Sequence, residues 1–272
     1  MRLDRAVVGL TGKLVVTGEI PEELHGRPLL LTANHIGNFD VLVLVAACHK
    51  IGIAPRFMAT GGLFDAPVVG WVLRKCNHVR VDRGKTTAVD ALRHGVDALA
   101  EGDPVLVYPE GRISQDPGLW PERGKTGASR IALASGAAVI PVSQWGAHEA
   151  MDWGTLTVEK WADLKILLVS WLRAVRRRPV FRVHFGPPVD LSDLSTDRPG
   201  DAVRARDRIM RAIANGLAGL RADEFDAPRH HDPTRPTVAR SPWKPEHPPQ
   251  LHLVEGSPAP AVTEDGPEAA AS

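Results

Sequence analysis

Cysteine is nearly absent from this chain. Cys48 and Cys76 are the only two in 272 residues. Two thiols in apolar stretches make no disulfide framework and fit a reducing cytoplasm. Long hydrophobic runs are missing too, and none approaches the roughly 20 residues that a spanning helix needs. The first stretch, Met1 to Val16, mixes Arg2, Asp4, Arg5 and Lys13 among its apolar residues, so it does not read as a signal peptide. The expectation is a chain that is soluble or lies on a membrane surface. An excess of charge is also missing. A formal +1 argues against generic nucleic-acid binding and leaves any basic function local. No His/Cys/Asp/Glu cluster has zinc-type spacing, so no metal is expected. No Gly-x-Ser-x-Gly elbow supplies a serine nucleophile. Arg123-Gly124-Lys125-Thr126 imitates a P-loop, but Gly118 and Gly124 enclose five residues where four are required. What survives there is a helix N-terminus preceded by Gly124 and carrying Lys125, which suits an anion.

Short apolar runs alternate with longer patterned ones. The runs predict strands over Pro28–Ala33, Arg56–Ala59, His78–Val81, Val105–Tyr108, Ala138–Val142 and Phe181–Phe185. The patterned stretches predict helices over Asp40–Lys50, Pro67–Arg74, Thr86–Glu101, Lys125–Ser135 and Ala202–Leu220. This alternation predicts an α/β fold, a layered domain with a largely parallel central sheet flanked by helices. The domain spans residues 1–225. From Asp226 to Ser272 the chain turns rich in Pro, His, Glu and Ala and reads as a disordered tail, with a docking segment as the alternative.

Three segments have the composition of a reactive site. Asn34-His35-Ile36-Gly37-Asn38-Phe39-Asp40 follows the first strand. Asn38 suits a helix N-cap, and Asp40 in the first turn is placed to fold back onto His35. The carboxylate would hold one imidazole nitrogen protonated and leave the other as a base. Tyr108-Pro109-Glu110-Gly111-Arg112 follows another strand, at the sheet edge where α/β proteins collect ligands. His78 to Lys85 is a third strand end, and Arg83 leaves it with a planar fork suited to phosphate. Each has a plainer alternative: a structural histidine, a turn with a surface ion pair, a solvated charge cluster. A fourth segment, Trp161 to Arg178, sets Trp161, Leu164, Leu167, Leu168, Trp171, Leu172 and Val175 at helical spacing among basic residues. It reads as an interfacial helix meeting anionic lipid, or else as a core helix with a basic end.

Together these blocks resemble the glycerophospholipid acyltransferase family, specifically the bacterial 1-acyl-glycerol-3-phosphate acyltransferases. The family's Asn-His with an Asp five positions on is matched by Asn34, His35 and Asp40. Its strand-end Arg is matched by Arg83, its aromatic-Pro-Glu-Gly block by Tyr108 to Gly111, and its Ile-Pro-Val strand by Ile140-Pro141-Val142. The resemblance covers about residues 29–189. Arg112-Ile113-Ser114 stands where the family has Thr-Arg-Ser, and Thr60 stands where it often has Lys. Lys125 resembles a basic residue that the family uses near the phosphate. The resemblance implies transfer of a fatty acyl group from acyl-CoA or acyl-carrier-protein to the free hydroxyl of 1-acyl-glycerol-3-phosphate. His35 and Asp40 would form the base, with no covalent intermediate and no cofactor. Arg83, Lys125 and Arg112 would hold the phosphate, Glu110 would orient the glycerol hydroxyls, and Gly111 would allow close backbone approach. The implied partners are the lysophospholipid, the acyl thioester, acyl carrier protein and an anionic membrane surface, with no nucleic acid. The implied place is the cytoplasm, peripheral on the inner face of the cell membrane. The alternatives are another lysophospholipid or lipid alcohol as acceptor, thioester hydrolysis, and a non-catalytic lipid-binding membrane adaptor.

Overall fold

The structure, a computed structural model, describes residues 2–65, 67–81, 87–151, 161–231 and 235–247. Its centre is strand β2 (Leu29–Ala33), which is buried along its whole length. A strand covered on both faces needs apolar side chains at consecutive positions, and Leu29-Leu30-Leu31 supplies them. By period-two alternation, Leu29, Leu31 and Ala33 enter one apolar layer and Leu30 enters the other.

Seven strands form the sheet: β1 (Lys13–Thr17), β2, β3 (Arg56–Thr60), β4 (Val79–Val81), β5 (Val105–Val107), β6 (Ala138–Trp145) and β7 (Val180–Phe185). Their spatial order is β1-β7-β6-β2-β5-β3-β4. Neighbours run parallel except β6 and β7. One face carries α1 (Arg2–Thr11), α2 (Asp40–Lys50) and α7 (Trp161–Arg177). The other carries α5 (Thr87–Ala100), α6 (Gly127–Ser135) and α8 (Asp201–Leu220). Two short helices, α3 (Gly61–Asp65) and α4 (Pro67–Lys75), lie between β3 and β4. The register decides what meets at the carboxyl edge. Thr32 stands opposite Val107, and Ala33 stands opposite Val142. Three residues beyond Thr32 and Val107 come His35 and Glu110, so the two motifs are neighbours by strand pairing alone.

The expected α/β layering is present, with three additions, α1, β1 and α3, and a longer β6. Helix α1 and strand β1 lie in the stretch weighed in the sequence only as a leader. Lys13–Thr17 is a five-residue edge strand, too short for periodicity to declare it. β6 continues through Ser143 and Gln144 although both are polar, because the Ser143 hydroxyl and the Gln144 Nε2 and main chain find partners where they are buried, while Gln144 Oε1 has none. Ser143 Oγ donates to Ile213 O at 2.8 Å, and Gln144 pairs with Asn34. Cys48 is buried, its thiol pushed up to about 12 by desolvation, whereas Cys76 is exposed and not in apolar surroundings.

The expected tail needs correction. Residues 226–231 and 235–247 fold back onto the domain, while 248–272 lie outside the described residues. Trp243 packs on the layer that contains Ile209 and Met210, and Arg235 is buried. Composition pointed to disorder because the segment offers little apolar area. Its attachment is instead largely polar, made to carbonyls and the Asp116 carboxylate of the loop 111–124 and to the Ile36 carbonyl. A second clamp on that loop is Arg221, whose guanidinium lies 4.5 Å and 4.0 Å over the rings of Trp120 and Trp145. It donates to the Gly118 and Glu224 carbonyls, and burial lowers its pKa to about 10.

Gly146 closes β6 with φ +92, and a Cβ there would lie 2.2 Å from the Val180 carbonyl oxygen. Both facts require glycine. Gly146→Ala is expected to lower stability by more than ~1 kcal/mol, read as a lower urea midpoint at unchanged m-value.

Candidate active site

His35 leaves β2 on a turn that Asp40 shapes. One carboxylate oxygen, Asp40 Oδ2, accepts from His35 Nδ1 at 2.8 Å, Ile36 N at 2.6 Å and Gly37 N at 3.0 Å. Asp40 is fully buried and the His35 side chain is 18% exposed. An unprotonated Nδ1 would set its lone pair against the carboxylate, so the proton sits on Nδ1 and Nε2 keeps its lone pair. The Tyr108 ring stacks on the imidazole at 4.1 Å and 15°, which fixes the ring plane. Asn38 does not cap α2 as expected. The N-cap position is Phe39, with no side-chain cap, and the Asp40 carboxylate occupies the amides just before the helix.

The buried backbone of this turn finds partners on four other segments. Gln144 Nε2 donates to Asn34 O at 2.8 Å, while the Asn34 amide pairs with both the N–H and the C=O of Gln144. His35 N donates to Glu110 Oε1 at 3.1 Å, and His35 O accepts from Ser114 N at 2.7 Å. Ile36 O accepts from Arg235 Nη2. Gln144, Ser114 and Arg235 were not singled out from the sequence. A glutamine inside the apolar run of β6 was the one available signal, since a buried amide needs a partner.

Glu110 lies at the junction of two motifs. It is buried, and its two oxygens accept from His35 N and Glu122 N. Burial outweighs those two bonds and pushes the carboxyl up to about 8. Glu110, expected to orient glycerol hydroxyls, lines the cleft and also braces the His35 turn against the loop, each of its oxygens accepting from one backbone donor. Gly111 has φ +67, and a Cβ there would meet Lys125 Cδ, Cε and Nζ at 3.3 Å, so glycine lets the lysine lie across the turn. Arg112 is held by Glu122, Nη2 to Oε2 at 2.6 Å. Glu110, Gly111, Arg112, Glu122, Arg123 and Lys125 line a polar cleft of about 330 Å³. Arg83 lies outside the described residues. Among the described residues no His/Cys/Asp/Glu group could hold a metal ion. Phe64 is buried, and Trp71 and Val72 are exposed. The structure thus brings a histidine–aspartate pair to within one residue of a basic cleft: Glu110 touches the first and lines the second.

Residues 14–145 match the family model described as Acyltransferase. The chloroplastic 1-acyl-sn-glycerol-3-phosphate acyltransferase BAT2 of Brassica napus is 28% identical over 142 residues, 52% of this chain and 40% of that protein. The lyso-ornithine lipid O-acyltransferase of Pseudomonas aeruginosa is 29% identical over 142 residues, 52% of this chain and 50% of that protein. The chain thus spans half or less of the length of these relatives. The crystal structure of the 1-acyl-sn-glycerophosphate acyltransferase PlsC from Thermotoga maritima superposes with a TM-score of 0.57 at 24% identity, covering 80% of this chain and 76% of that one. That likeness speaks for the fold.

Glu110 makes stability depend on pH in a definite direction. Between pH 4.5 and about 8 the folded chain holds a proton on Glu110 that the unfolded chain has released. Folding stability from this group is therefore full below pH 4.5 and falls as pH rises towards 8. Urea midpoints of the full chain are expected to drop across that window, and those of Glu110→Gln to drop by less. The difference between the two proteins should reach a few kcal/mol, at about 1.4 kcal/mol per tenfold change in proton affinity.

Proposed function

From the match of residues 14–145 to the Acyltransferase family model we propose that the chain moves a fatty acyl group from a thioester, acyl-CoA or acyl carrier protein, to the free hydroxyl of 1-acyl-glycerol-3-phosphate. The product is phosphatidate. The observation that carries the reading is the His35–Asp40 pair at 2.8 Å, set through Glu110 against a cleft that contains Lys125 and two arginines.

In this reading His35 Nε2 takes the proton of the acceptor hydroxyl as its oxygen attacks the thioester carbonyl carbon. Asp40 stabilises the imidazolium that forms. The carbon–oxygen bond forms, the tetrahedral intermediate collapses, and the carbon–sulfur bond breaks. A thiol with a pKa near ~8.5 leaves readily, and the imidazolium proton returns to it. No serine takes part: Ser114 Oγ is committed to Trp120 O at 2.8 Å. The N–H groups of Ile36 and Gly37 are committed to Asp40, so the oxyanion is met by other donors. Lys125 and Arg123 hold the phosphate, joined by Arg83, and Arg112 contributes beyond its bond to Glu122. That bond also favours a second reading within the same chemistry. With Arg112 partly neutralised by Glu122, the cleft carries less positive charge, and a lysolipid with a different headgroup is then the acceptor.

A thiol-release assay over a panel of lysolipids tests both. Lysophosphatidate is expected to give the fastest release, and His35→Ala or Asp40→Asn should cut the rate by on the order of 10²–10⁴. Full activity in His35→Ala would sink the mechanism. Thiol release with free fatty acid as the sole product would mark a hydrolase.

We also propose that α7 rests on an anionic membrane from the cytoplasmic side. Trp171, expected at headgroup depth, faces inward instead: it packs in the α1–α2 layer and its Nε1 donates to Thr11 Oγ1 at 2.9 Å. The exposed side of the helix carries Ile166, Leu168, Val169 and Leu172 among Lys165, Arg173, Arg176 and Arg177. The side chain of Trp161 lies outside the described residues. Apolar groups interleaved with cations suit the headgroup boundary. Among the described residues no helix is long and apolar enough to cross a membrane. Leu168→Ser with Leu172→Ser is expected to weaken binding to anionic vesicles at least ~10-fold, since burial of each leucine is worth ~1.5–3 kcal/mol. Trp171→Ala should lower stability instead. Unchanged co-sedimentation of the double serine variant with vesicles would remove α7 as the contact.

A further inference from the structure

Residues 235–243 lie far beyond the family-matched stretch in sequence, yet they hold its reactive turn. Arg235 is 6% exposed, and its guanidinium bridges two carbonyls. Nη2 donates to Ile36 O, and Nη1 donates to Ser114 O at 3.0 Å. Ser114 N in turn donates to His35 O at 2.7 Å. The two peptide groups on either side of Ile36, through His35 O and Ile36 O, are thus closed into a ring with Ser114 and Arg235. Residues 240–243 fasten this ring to the loop. Arg240 N and Ser241 N donate to Asp116 Oδ2 at 2.7 Å and 3.0 Å, while Asp116 Oδ1 accepts from Gly118 N at 3.0 Å. Ser241 Oγ donates to Pro121 O at 2.6 Å, and Trp243 Nε1 donates to Glu122 O at 3.2 Å. Glu122 is the residue whose N–H binds Glu110 and whose carboxylate binds Arg112.

We propose that Arg235, held in place by the strap 235–243, is a positioning residue for the acyl-transfer reaction. It fixes the His35 peptide, and with it the imidazole, relative to the headgroup cleft. The physical reason is economy of donors. Asp40 spends one oxygen on the N–H side of the turn, and the carbonyl side needs a donor that reaches two segments at once. A planar fork reaches Ile36 O and Ser114 O from two separate nitrogens in one fixed plane, whereas an ammonium would have to serve both from a single nitrogen on a flexible stem and hold them less rigidly. The strap reaches both ends of the loop 114–122, so it locks the base and the cleft as one body. This inference rests on the acyltransferase reading for its catalytic meaning and on geometry for the rest.

The test uses the full chain, with Arg235→Gln, Arg235→Lys and, as a strap variant that leaves the guanidinium in place, Ser241→Ala. Amide hydrogen exchange is followed alongside kcat and KM. Arg235→Gln is expected to speed exchange at residues 35–37 and 114–116 while β2 and α8 stay protected. Its kcat should fall on the order of 10–100-fold, the loss that a misplaced catalytic group brings, with KM for the thioester within about twofold. Arg235→Lys should recover part of kcat, and Ser241→Ala should loosen 116–122 more than 35–37. Unchanged exchange at 35–37 in Arg235→Gln overturns the proposal, and so does a loss that follows the unfolded fraction alone. If the wild-type chain releases no thiol with any acceptor, the acyltransfer reading falls, and the exchange pattern alone decides whether Arg235 holds the turn.

Discussion

The main chain between Asn34 and Ile36 is buried beyond the reach of water, and its amides and carbonyls still have to be paired. That constraint organises the site. A buried backbone group left without a partner costs ~1–3 kcal/mol. Several such groups together would rival the ~5–15 kcal/mol by which a domain is stable at all. The spacing from His35 to Asp40 follows from it. A carboxylate at the first position of α2 reaches back over one turn to Ile36 N and Gly37 N while it also meets His35 Nδ1. The same oxygen therefore shapes the turn and sets the imidazole tautomer, so the imidazole cannot lose its partner without the turn losing its shape.

The partners of the turn come from distant parts of the chain, which is how a local need becomes a fold. Parallel pairing of β2 with β5 brings Glu110 to His35 N, and pairing with β6 brings Gln144 to Asn34. Glu110 then couples two environments. Its burial beside the turn raises its proton affinity, while its residue lines a cleft whose remaining charge is Arg112 paired to Glu122, with Arg123 and Lys125. A neutral brace in that place spares the cleft a negative charge at pH below about 8 and leaves the cations to the ligand. Gly111 serves the same geometry by letting Lys125 cross close to the backbone.

How much of this could be read from the residues divides along one line. Where a single segment carries its own partner, as His35 does with Asp40, the pattern was legible, and so were the apolar strands, whose hydrophobicity declares them. Where satisfaction depends on register, it was not. Gln144 looks like an interruption of β6 until β2 is placed beside it. Trp171 shows the limit for helices, because a stripe of apolar residues states that one face is buried somewhere but not which residues of the stripe turn inward. Thr11 decided that, through a hydrogen bond no spacing foretells. Asn38 is no cap because α2 begins one residue later, with Phe39 at the N-cap position and no side-chain cap. Arg83 falls outside the described residues, so its place at the cleft stays a matter of resemblance.

The segment from Asp226 shows why composition misleads most where attachment is polar. Apolar area is the usual measure of whether a stretch can offset its chain entropy, and this one has little beyond Trp243. Arg235, Arg240 and Ser241 attach it by another route, by supplying donors to the Ile36 carbonyl and to a carbonyl and a carboxylate of the loop 111–124. Such bonds are modest individually, at about 1 kcal/mol each, but the alternative for the loop is a set of buried acceptors with no donor. The loop and the strap therefore need each other. The unit that positions His35 extends from β2 to Trp243, well past the residues that carry the recognisable motifs.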